Sequence, residues 1–232
     1  QSTLFNLVAS VGLLLVNLLI GVIEARLLGP QEMGRYHIFL TTQTLFVTVF
    51  AFGIGQACIF FINSQKKDMI EVVTSSVKFI LPFSVIASVS LFVVLNVFGN
   101  YFQEDNHWYI ILFCIGTNAL LINTILVPVL LAEMQVVRRQ IVNYISRIIV
   151  LVSILSLFLL HVDLNVGILI SLVGLSNVIA LLLLHRYLKE YIRWKLPMDK
   201  KLVKELFLWG LKLSGNNMAS IVLSSIPVYF LS

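Results

Sequence analysis

Charged residues inside apolar segments are the first candidates for chemistry in this chain. Arg26 lies close to Glu24 where the first apolar run ends, and Arg147 lies well inside the fifth. A charge at the centre of a bilayer costs on the order of 2.5–3.5 kcal/mol, so such residues usually have a function. Arg26 can pair with Glu24, face a water-filled cavity or extend to the membrane surface. The depth of Arg147 favours a place in a cavity within the membrane.

Uncharged amide side chains form a second set of candidates. Inside a bilayer such groups must find hydrogen-bond partners within the bundle, so they either join helices or line a hydrophilic cavity. A cavity with many amides and few carboxylates would suit the hydroxyl groups of a glycan better than a cation. The candidates for this polar lining are Asn17, Gln43, Gln56, Asn118 and Asn123.

Arrangements typical of an enzyme or a metal site are absent from the sequence. The 4 histidines lie in different segments, and the 2 cysteines lie in separate apolar runs. There is no nucleophile elbow and no P-loop. The longest polar segment, 186–205, is too short to fold as a catalytic domain. We therefore predict no enzymatic activity, no metal and no cofactor.

The composition indicates that these residues belong to a membrane protein. The chain has 59% hydrophobic and 12% charged residues, with a mean hydropathy of +0.99. Soluble domains have about 45–50% apolar and about 25% charged residues. So few charges cannot cover a water-soluble surface, and lipid is the solvent that suits this chain.

Seven apolar segments are long enough to cross a bilayer, which takes about 20 residues in a helix. They are too long and too continuous for the strands of a membrane barrel. We therefore predict an all-α, polytopic membrane helix bundle. Gly29 and Pro30 are predicted to stop the first helix, because glycine caps it and proline cannot continue it. The segments are 4–23, 38–62, 77–98, 108–131, 141–160, 166–184 and 206–231.

The basic residues indicate the orientation of the bundle. Of the 16 lysines and arginines, all but Arg26 and Arg35 lie in the even-numbered loops or within about two turns of the start of the helix that follows. Such loops are cytoplasmic, which makes the N-terminus cytoplasmic too. The net charge of +5 comes largely from segment 186–205. Attraction to anionic membrane lipids explains this charge, and we predict no nucleic-acid partner.

Two motifs resemble a known family. Ala25-Arg26-Leu27-Leu28-Gly29-Pro30, followed by Glu32-Met33-Gly34-Arg35-Tyr36, resembles the end of the first helix and the start of the second in bacterial polysaccharide exporters. Phe52-Gly53-Ile54-Gly55-Gln56-Ala57 is similar to the Gly-rich segment near the end of their second helix. The O-antigen and capsule flippases belong to this family. Its superfamily includes the lipid II flippases and the multidrug and toxin extrusion transporters.

The resemblance implies two lobes of six helices joined by a basic loop. Residues 1–185 would form a six-helix N-terminal lobe and 186–205 a cytoplasmic linker. Residues 206–232 would be the first helix of a second, truncated lobe. Because the chain begins at Gln1 and ends directly after an apolar run, we expect it to be part of a longer protein.

The resemblance also implies a function. It is that of a flippase in the bacterial cytoplasmic (inner) membrane, which moves undecaprenyl-diphosphate-linked oligosaccharide by alternating access. Arg26 would contribute to a cationic cavity that attracts the diphosphate. No family motif contains Arg147, but its depth in the fifth segment suggests that it belongs to the same cavity. The implied partners are the lipid-linked glycan, membrane lipids and a coupling ion, with Na⁺ and H⁺ both left open.

Three other functions compete with this one. A cation-coupled multidrug exporter of the same superfamily would prefer acidic residues in the cavity, and the central parts of the seven segments contain no aspartate or glutamate. A glycan polymerase would need a sizeable outer loop. A membrane scaffold without transport activity is the remaining alternative.

Overall fold

The chain folds as a bundle of helices. The computed structural model describes residues 2–97, 107–132, 136–160 and 164–231, and the side chains of 8–97, 107–132, 137–160 and 164–215. Within these ranges there is no strand, and the all-α polytopic bundle is confirmed. The helices are α1 (Ser2–Ala51), α2 (Ile54–Asn63), α3 (Met69–Val97), α4 (His107–Ala132), α5 (Val136–Leu159), α6 (Val166–Leu188) and α7 (Lys200–Leu231).

Five of these helices are long and apolar enough to cross a membrane: α1, α3, α4, α5 and α6. The apolar part of α1, Val8–Ala51, has 44 residues and would measure about 66 Å, twice the bilayer core of about 30 Å. A break at Gly29 divides it into two arms, each long enough to span. The chain is therefore a multi-pass membrane protein. The seventh predicted span, 206–231, lies in α7, where the described side chains end at Gly215.

The predicted loop between the first two spans is reduced to one residue. Gly29 has φ 74° and ψ 175°, a backbone conformation open essentially to glycine alone. The helix resumes at Pro30, because a proline in the first helical position has a suitable φ and needs no N–H partner. The sequence therefore predicted the position of this break correctly but made the loop too long.

The two arms of α1 pack against each other beside the break. Ile20 on the first arm and Tyr36, Ile38 and Phe39 on the second are buried in one apolar cluster, which also contains residues of α3, α4, α5 and α6. In a bilayer, close packing of this kind, and not the exclusion of water, holds helices together. The arms therefore form a helical hairpin anchored in the bundle.

A close helix contact joins α4 and α6 at two glycines. A Cβ atom added to Gly116 would lie 2.7 Å from the carbonyl oxygen of Gly174. A Cβ added to Gly174 would lie 2.6 Å from the carbonyl oxygen of Leu112. Small residues allow membrane helices to approach until their backbones touch. Gly116 and Gly174 therefore set the distance between α4 and α6.

A second break interrupts the second span between α1 and α2. Phe52 and Gly53 have φ of 49° and 64°, and a positive φ is unusual for a residue as bulky as phenylalanine. Helix α7 crosses directly over this break. A Cβ on Gly210 would overlap the Phe52 carbonyl oxygen, and it would lie 3.1 Å from the carbonyl carbon of Gly53. The Phe52 ring also packs on Phe207, with centroids 5.1 Å apart.

The predicted basic linker is docked on α3. Thr74, near the start of α3, donates its hydroxyl hydrogen to the Tyr191 carbonyl at 3.2 Å and accepts from the Arg193 N–H at 3.1 Å. Lys78, one turn further along α3, donates from Nζ to the carbonyl of Trp194 at 2.8 Å and to that of Leu196. These bonds use the polar face of α3 to hold the segment that joins α6 to α7.

Asp199 directly precedes α7 and caps its N-terminus. Its carboxylate accepts from the backbone N–H groups of Lys201 at 2.8 Å and Leu202 at 3.2 Å. These two donors lower the pKa of the Asp199 carboxyl below its ordinary value. The cap is therefore ionised at neutral pH, as suits the positive end of a helix dipole. The start of α7 is thus held at a defined place beside α3.

Replacing Lys78 with methionine is expected to loosen the linker. Methionine keeps the apolar stem but leaves the carbonyls of Trp194 and Leu196 without their charged donor, and such a hydrogen bond contributes about 1.5–3 kcal/mol. We expect chymotrypsin to cleave after Tyr191 or Trp194 about tenfold faster in the variant. Lys66→Met, in the loop between α2 and α3, is the matched control. Equal cleavage of both variants and the unmodified protein would contradict the docking role of Lys78.

Candidate functional site

A polar cavity of about 360 Å³ lies inside the bundle. Both arms of α1 line it together with α4, α5 and α6. The spacing of Tyr36, Leu40 and Gln43 places them on one face of the second arm. The polar side chains that line the cavity are Asn17, Tyr36, Gln43, Thr44, Asn123, Asn143, Ser146, Arg147, Ser176 and Asn177.

Arg147 gives this cavity its charge. It is the one cation among the described residues that line the cavity, and none of those residues is acidic. Its side chain is exposed, so a molecule in the cavity can reach it. Asn143 lies one turn earlier on α5 and lines the same cavity. The cavity therefore combines a guanidinium with amide and hydroxyl groups.

Two buried amides of the cavity have polar atoms without a partner among the described residues. Asn123 donates from Nδ2 to the Asn177 carbonyl at 3.0 Å, which joins α4 to α6. The Asn123 Oδ1 and the Asn177 Nδ2 have no hydrogen-bond partner in the described part of the chain. Buried polar groups are normally satisfied, and exceptions call for a functional explanation. One acceptor and one donor thus remain for a ligand at this wall of the cavity.

Gln43 serves both the bundle and the cavity. Its Nε2 donates to Thr117 Oγ1 at 2.9 Å, and Thr117 in turn donates to the Phe113 carbonyl at 2.9 Å. Gln43 is buried and also lines the cavity. This amide therefore links α1 to α4 and contributes to the polar lining at the same time.

Glu24 is buried behind the cavity. Only 6% of its surface is exposed, and its Oε1 accepts a hydrogen bond from the Tyr36 hydroxyl at 3.1 Å. Arg26 is exposed, so the pairing with Glu24 that the sequence allowed is replaced by this contact across the helical hairpin. Tyr36 and Arg147 line the same cavity. An acidic residue thus lies one side chain away from the cavity.

The structure brings four of the predicted site residues together and separates three. Asn17, Gln43, Asn123 and Arg147 line the polar cavity. Asn118 lines an apolar groove of about 390 Å³ between α3, α4 and α6. Gln56 lines a cavity of about 280 Å³ beside the break at Gly53. Arg26 lines none of these three, and its role stays a prediction.

Six polar residues of the cavity were not among the predicted site residues, and these are Tyr36, Thr44, Asn143, Ser146, Ser176 and Asn177. Asn143 stands four residues before Arg147, a spacing that places both on one helix face and would have been a usable signal. Ser146 lies between them in the sequence, and a serine alone does not indicate a cavity. Ser176 and Asn177 lie on α6, and only the structure shows that both line the cavity.

The amino-acid sequence as a whole identifies the family. The family model described as polysaccharide biosynthesis protein matches residues 1–232. The chain belongs to the polysaccharide biosynthesis protein family. The resemblance inferred from the segments around Gly29 and Gly53 is thereby confirmed. No curated protein sequence matches the chain significantly.

Solved structures of other proteins have a fold similar to that of this family member. A multidrug resistance MATE family transporter of the MOP superfamily, in an outward-facing conformation, has a TM-score of 0.70 and 18% identity over 97% of this chain. A MOP superfamily transporter from Pyrococcus furiosus, with a binding pocket of reverse polarity, has a TM-score of 0.71 and 18% identity over 99%. A mutant MATE protein has a TM-score of 0.69 and 18% identity over 99%.

The likeness to these proteins concerns the fold alone, because the identity is low. The chain covers 52% of the first and 53% of the other two. The polysaccharide biosynthesis family member thus spans about half the length of the solved transporters that it matches.

Proposed function

We propose that this chain belongs to a flippase, which moves a lipid-linked oligosaccharide from the cytoplasmic to the outer leaflet of the bacterial inner membrane. The observation that carries the proposal is the polar cavity in the bundle, with Arg147 as its one lining cation among the described residues. Family membership supports a role in polysaccharide biosynthesis. The undecaprenyl diphosphate carrier supplies the anion that such a cavity would attract.

The side chains of the cavity suit both parts of this substrate, the diphosphate and the sugars. A guanidinium binds phosphate oxygens through paired N–H donors and keeps its charge within the membrane. The free Oδ1 of Asn123 can accept a hydrogen bond from a sugar hydroxyl, and the free Nδ2 of Asn177 can donate one. Arg147 would therefore hold the diphosphate while the amides contact the first sugars.

The transport cycle would use two lobes. We propose residues 1–185 as the first lobe, 186–205 as the cytoplasmic linker and 206–232 as the start of the second lobe. Movement of one lobe against the other would open the cavity to each side of the membrane in turn. The N-terminus would be cytoplasmic, as the basic residues indicate. Na⁺ or H⁺ would drive the cycle.

A cation-coupled multidrug exporter is the second candidate, and the likeness to MATE proteins is what favours it. Such an exporter binds cationic compounds, for which an acidic lining would be required. The cavity wall that the structure describes has Arg147 and no acidic residue, and Glu24 lies behind Tyr36. This distribution of charge favours an anionic substrate over a cationic one.

Replacing Arg147 with glutamine in the full-length protein tests the proposal. We expect surface glycan to fall about tenfold, because a charge-assisted contact to phosphate contributes about 1.5–3 kcal/mol. Lipid-linked precursor should accumulate on the cytoplasmic side. Arg186→Gln, which removes an exposed arginine at the end of α6, is the matched control, and Arg26→Gln tests the other predicted arginine.

Two measurements decide the outcome. If Arg147→Gln changed neither surface glycan nor precursor while the protein stayed in the membrane, the cationic-cavity mechanism would be wrong. Drug sensitivity in the same cells separates the exporter. Increased drug sensitivity of the variant with unchanged glycan would favour multidrug export.

A further inference from the structure

We propose that Glu24 is a resident counter-ion of Arg147, and that the anionic group of the substrate takes its place. This proposal rests on the proposed function, because it assumes that Arg147 binds the substrate. It assigns Glu24 and Tyr36 a role in setting how tightly the cavity holds an anion.

The burial of Glu24 requires a compensating partner. A carboxylate within a membrane bundle is costly, and such residues pair with a charge or with hydrogen-bond donors in the interior. Tyr36 provides a neutral donor at 3.1 Å. Tyr36 also lines the polar cavity, in which Arg147 is the one cation among the described lining residues. The carboxylate thus lies one hydrogen bond behind the cavity wall that carries the guanidinium.

Tyr36 prevents a direct ion pair between the Glu24 carboxylate and the Arg147 guanidinium. Tyr36 and Arg147 line the cavity, whereas Glu24 does not line it and is hydrogen-bonded to Tyr36. Among the described residues, Glu24 and Arg147 form no ion pair within bonding distance. The Arg147 side chain therefore stays accessible from the cavity. The Glu24 carboxylate can thus influence Arg147 without occupying its guanidinium N–H donors.

This arrangement gives the cavity a moderate affinity. A bare guanidinium in a low-dielectric cavity would hold a diphosphate tightly, and a transporter must also release what it binds. The charge of Glu24 opposes an incoming anion and offers Arg147 an alternative partner when the anion leaves. The hydrogen bond from Tyr36 prevents Glu24 from blocking the site altogether.

The proposal predicts effects of opposite sign at neighbouring residues. Glu24→Gln keeps an oxygen that accepts from Tyr36 but removes the charge, so anion binding should become tighter by on the order of tenfold. Tyr36→Phe frees the carboxylate to contact Arg147, so binding should become several-fold weaker. Tyr36→Phe should have little effect once Glu24 is glutamine. A merely structural role would weaken binding in every variant.

The experiment measures binding of undecaprenyl diphosphate to the full-length protein in lipid nanodiscs, with undecaprenol as the uncharged control. The variants are Glu24→Gln, Tyr36→Phe, Arg147→Gln and their pairwise combinations, each checked by thermal unfolding. In the Arg147→Gln background, Glu24→Gln should lose its effect, because the two residues act through each other.

The outcomes separate this proposal from the function on which it rests. If Arg147→Gln leaves diphosphate binding unchanged, the proposed function fails. If Arg147→Gln weakens binding but Glu24→Gln does not tighten it, the counter-ion proposal fails alone. It also fails if the effects of Glu24→Gln and Arg147→Gln simply add. Tighter binding of undecaprenol by Glu24→Gln would show an effect of the lipid tail, and this too would overturn the proposal.

Discussion

Replacing Gly116 with leucine is expected to remove most of the folded protein from the membrane. A Cβ atom at this position would overlap the backbone of Gly174, so that α4 and α6 could not keep their distance. Backbone cannot move aside as a flexible side chain does, and overpacking of this kind costs about 1–3 kcal/mol or more. We expect the yield of protein that remains monodisperse in detergent to fall about tenfold or more.

Gly21→Leu is the matched control for this substitution. Gly21 lies inside the first arm of α1, and a Cβ there would meet no described atom within 4 Å. Both variants add the same side chain to a glycine of an apolar helix, so they differ chiefly in the space available. A yield of Gly116→Leu close to that of Gly21→Leu would mean that the contact between α4 and α6 does not determine stability.

Replacing Gly210 with leucine is expected to reduce transport strongly. The substitution would force α7 away from the Phe52 carbonyl and from the break in the second span. Because α7 is the proposed first helix of the second lobe, its displacement would separate the lobes where they meet. We expect surface glycan to fall about tenfold or more, as for other collisions in a packed interior. The melting temperature should fall as well.

Gly215→Leu provides the comparison on the same helix. Gly215 lies about one turn further along α7, where an added Cβ would meet no described atom within 4 Å. This variant should retain both surface glycan and melting temperature. If the two leucine variants behaved alike, the contact of α7 with the break would not be the cause of the loss.

The spans in α1, α3, α4, α5 and α6 could be predicted from sequence because bilayer thickness sets their length, and no packing knowledge is needed for that. The break at Gly29 was also predictable, since glycine followed by proline ends a helix. The break at Phe52 could not be predicted in the same way. Its positive φ occurs at a residue that normally avoids it, and α7, distant in sequence, packs on it.

Only part of the candidate site was predictable, because the type of a residue does not show which way its side chain points within the bundle. Asn118 and Asn123 have the same side chain, yet five residues rotate a helix by about 140°, so they face different surroundings. Asn123 lines the polar cavity and Asn118 an apolar groove. The contact of Glu24 with Tyr36 depends on how sharply the chain turns at Gly29, which no local pattern specifies.

The single-residue turn at Gly29 has a consequence for how the protein is made. Two spans joined by one residue leave no loop to be carried across the bilayer separately, so the arms of α1 are expected to enter the membrane together as a hairpin. The first arm would then reach its final position in the membrane only after the ribosome has released the second arm. These two helices would thus be inserted as a pair.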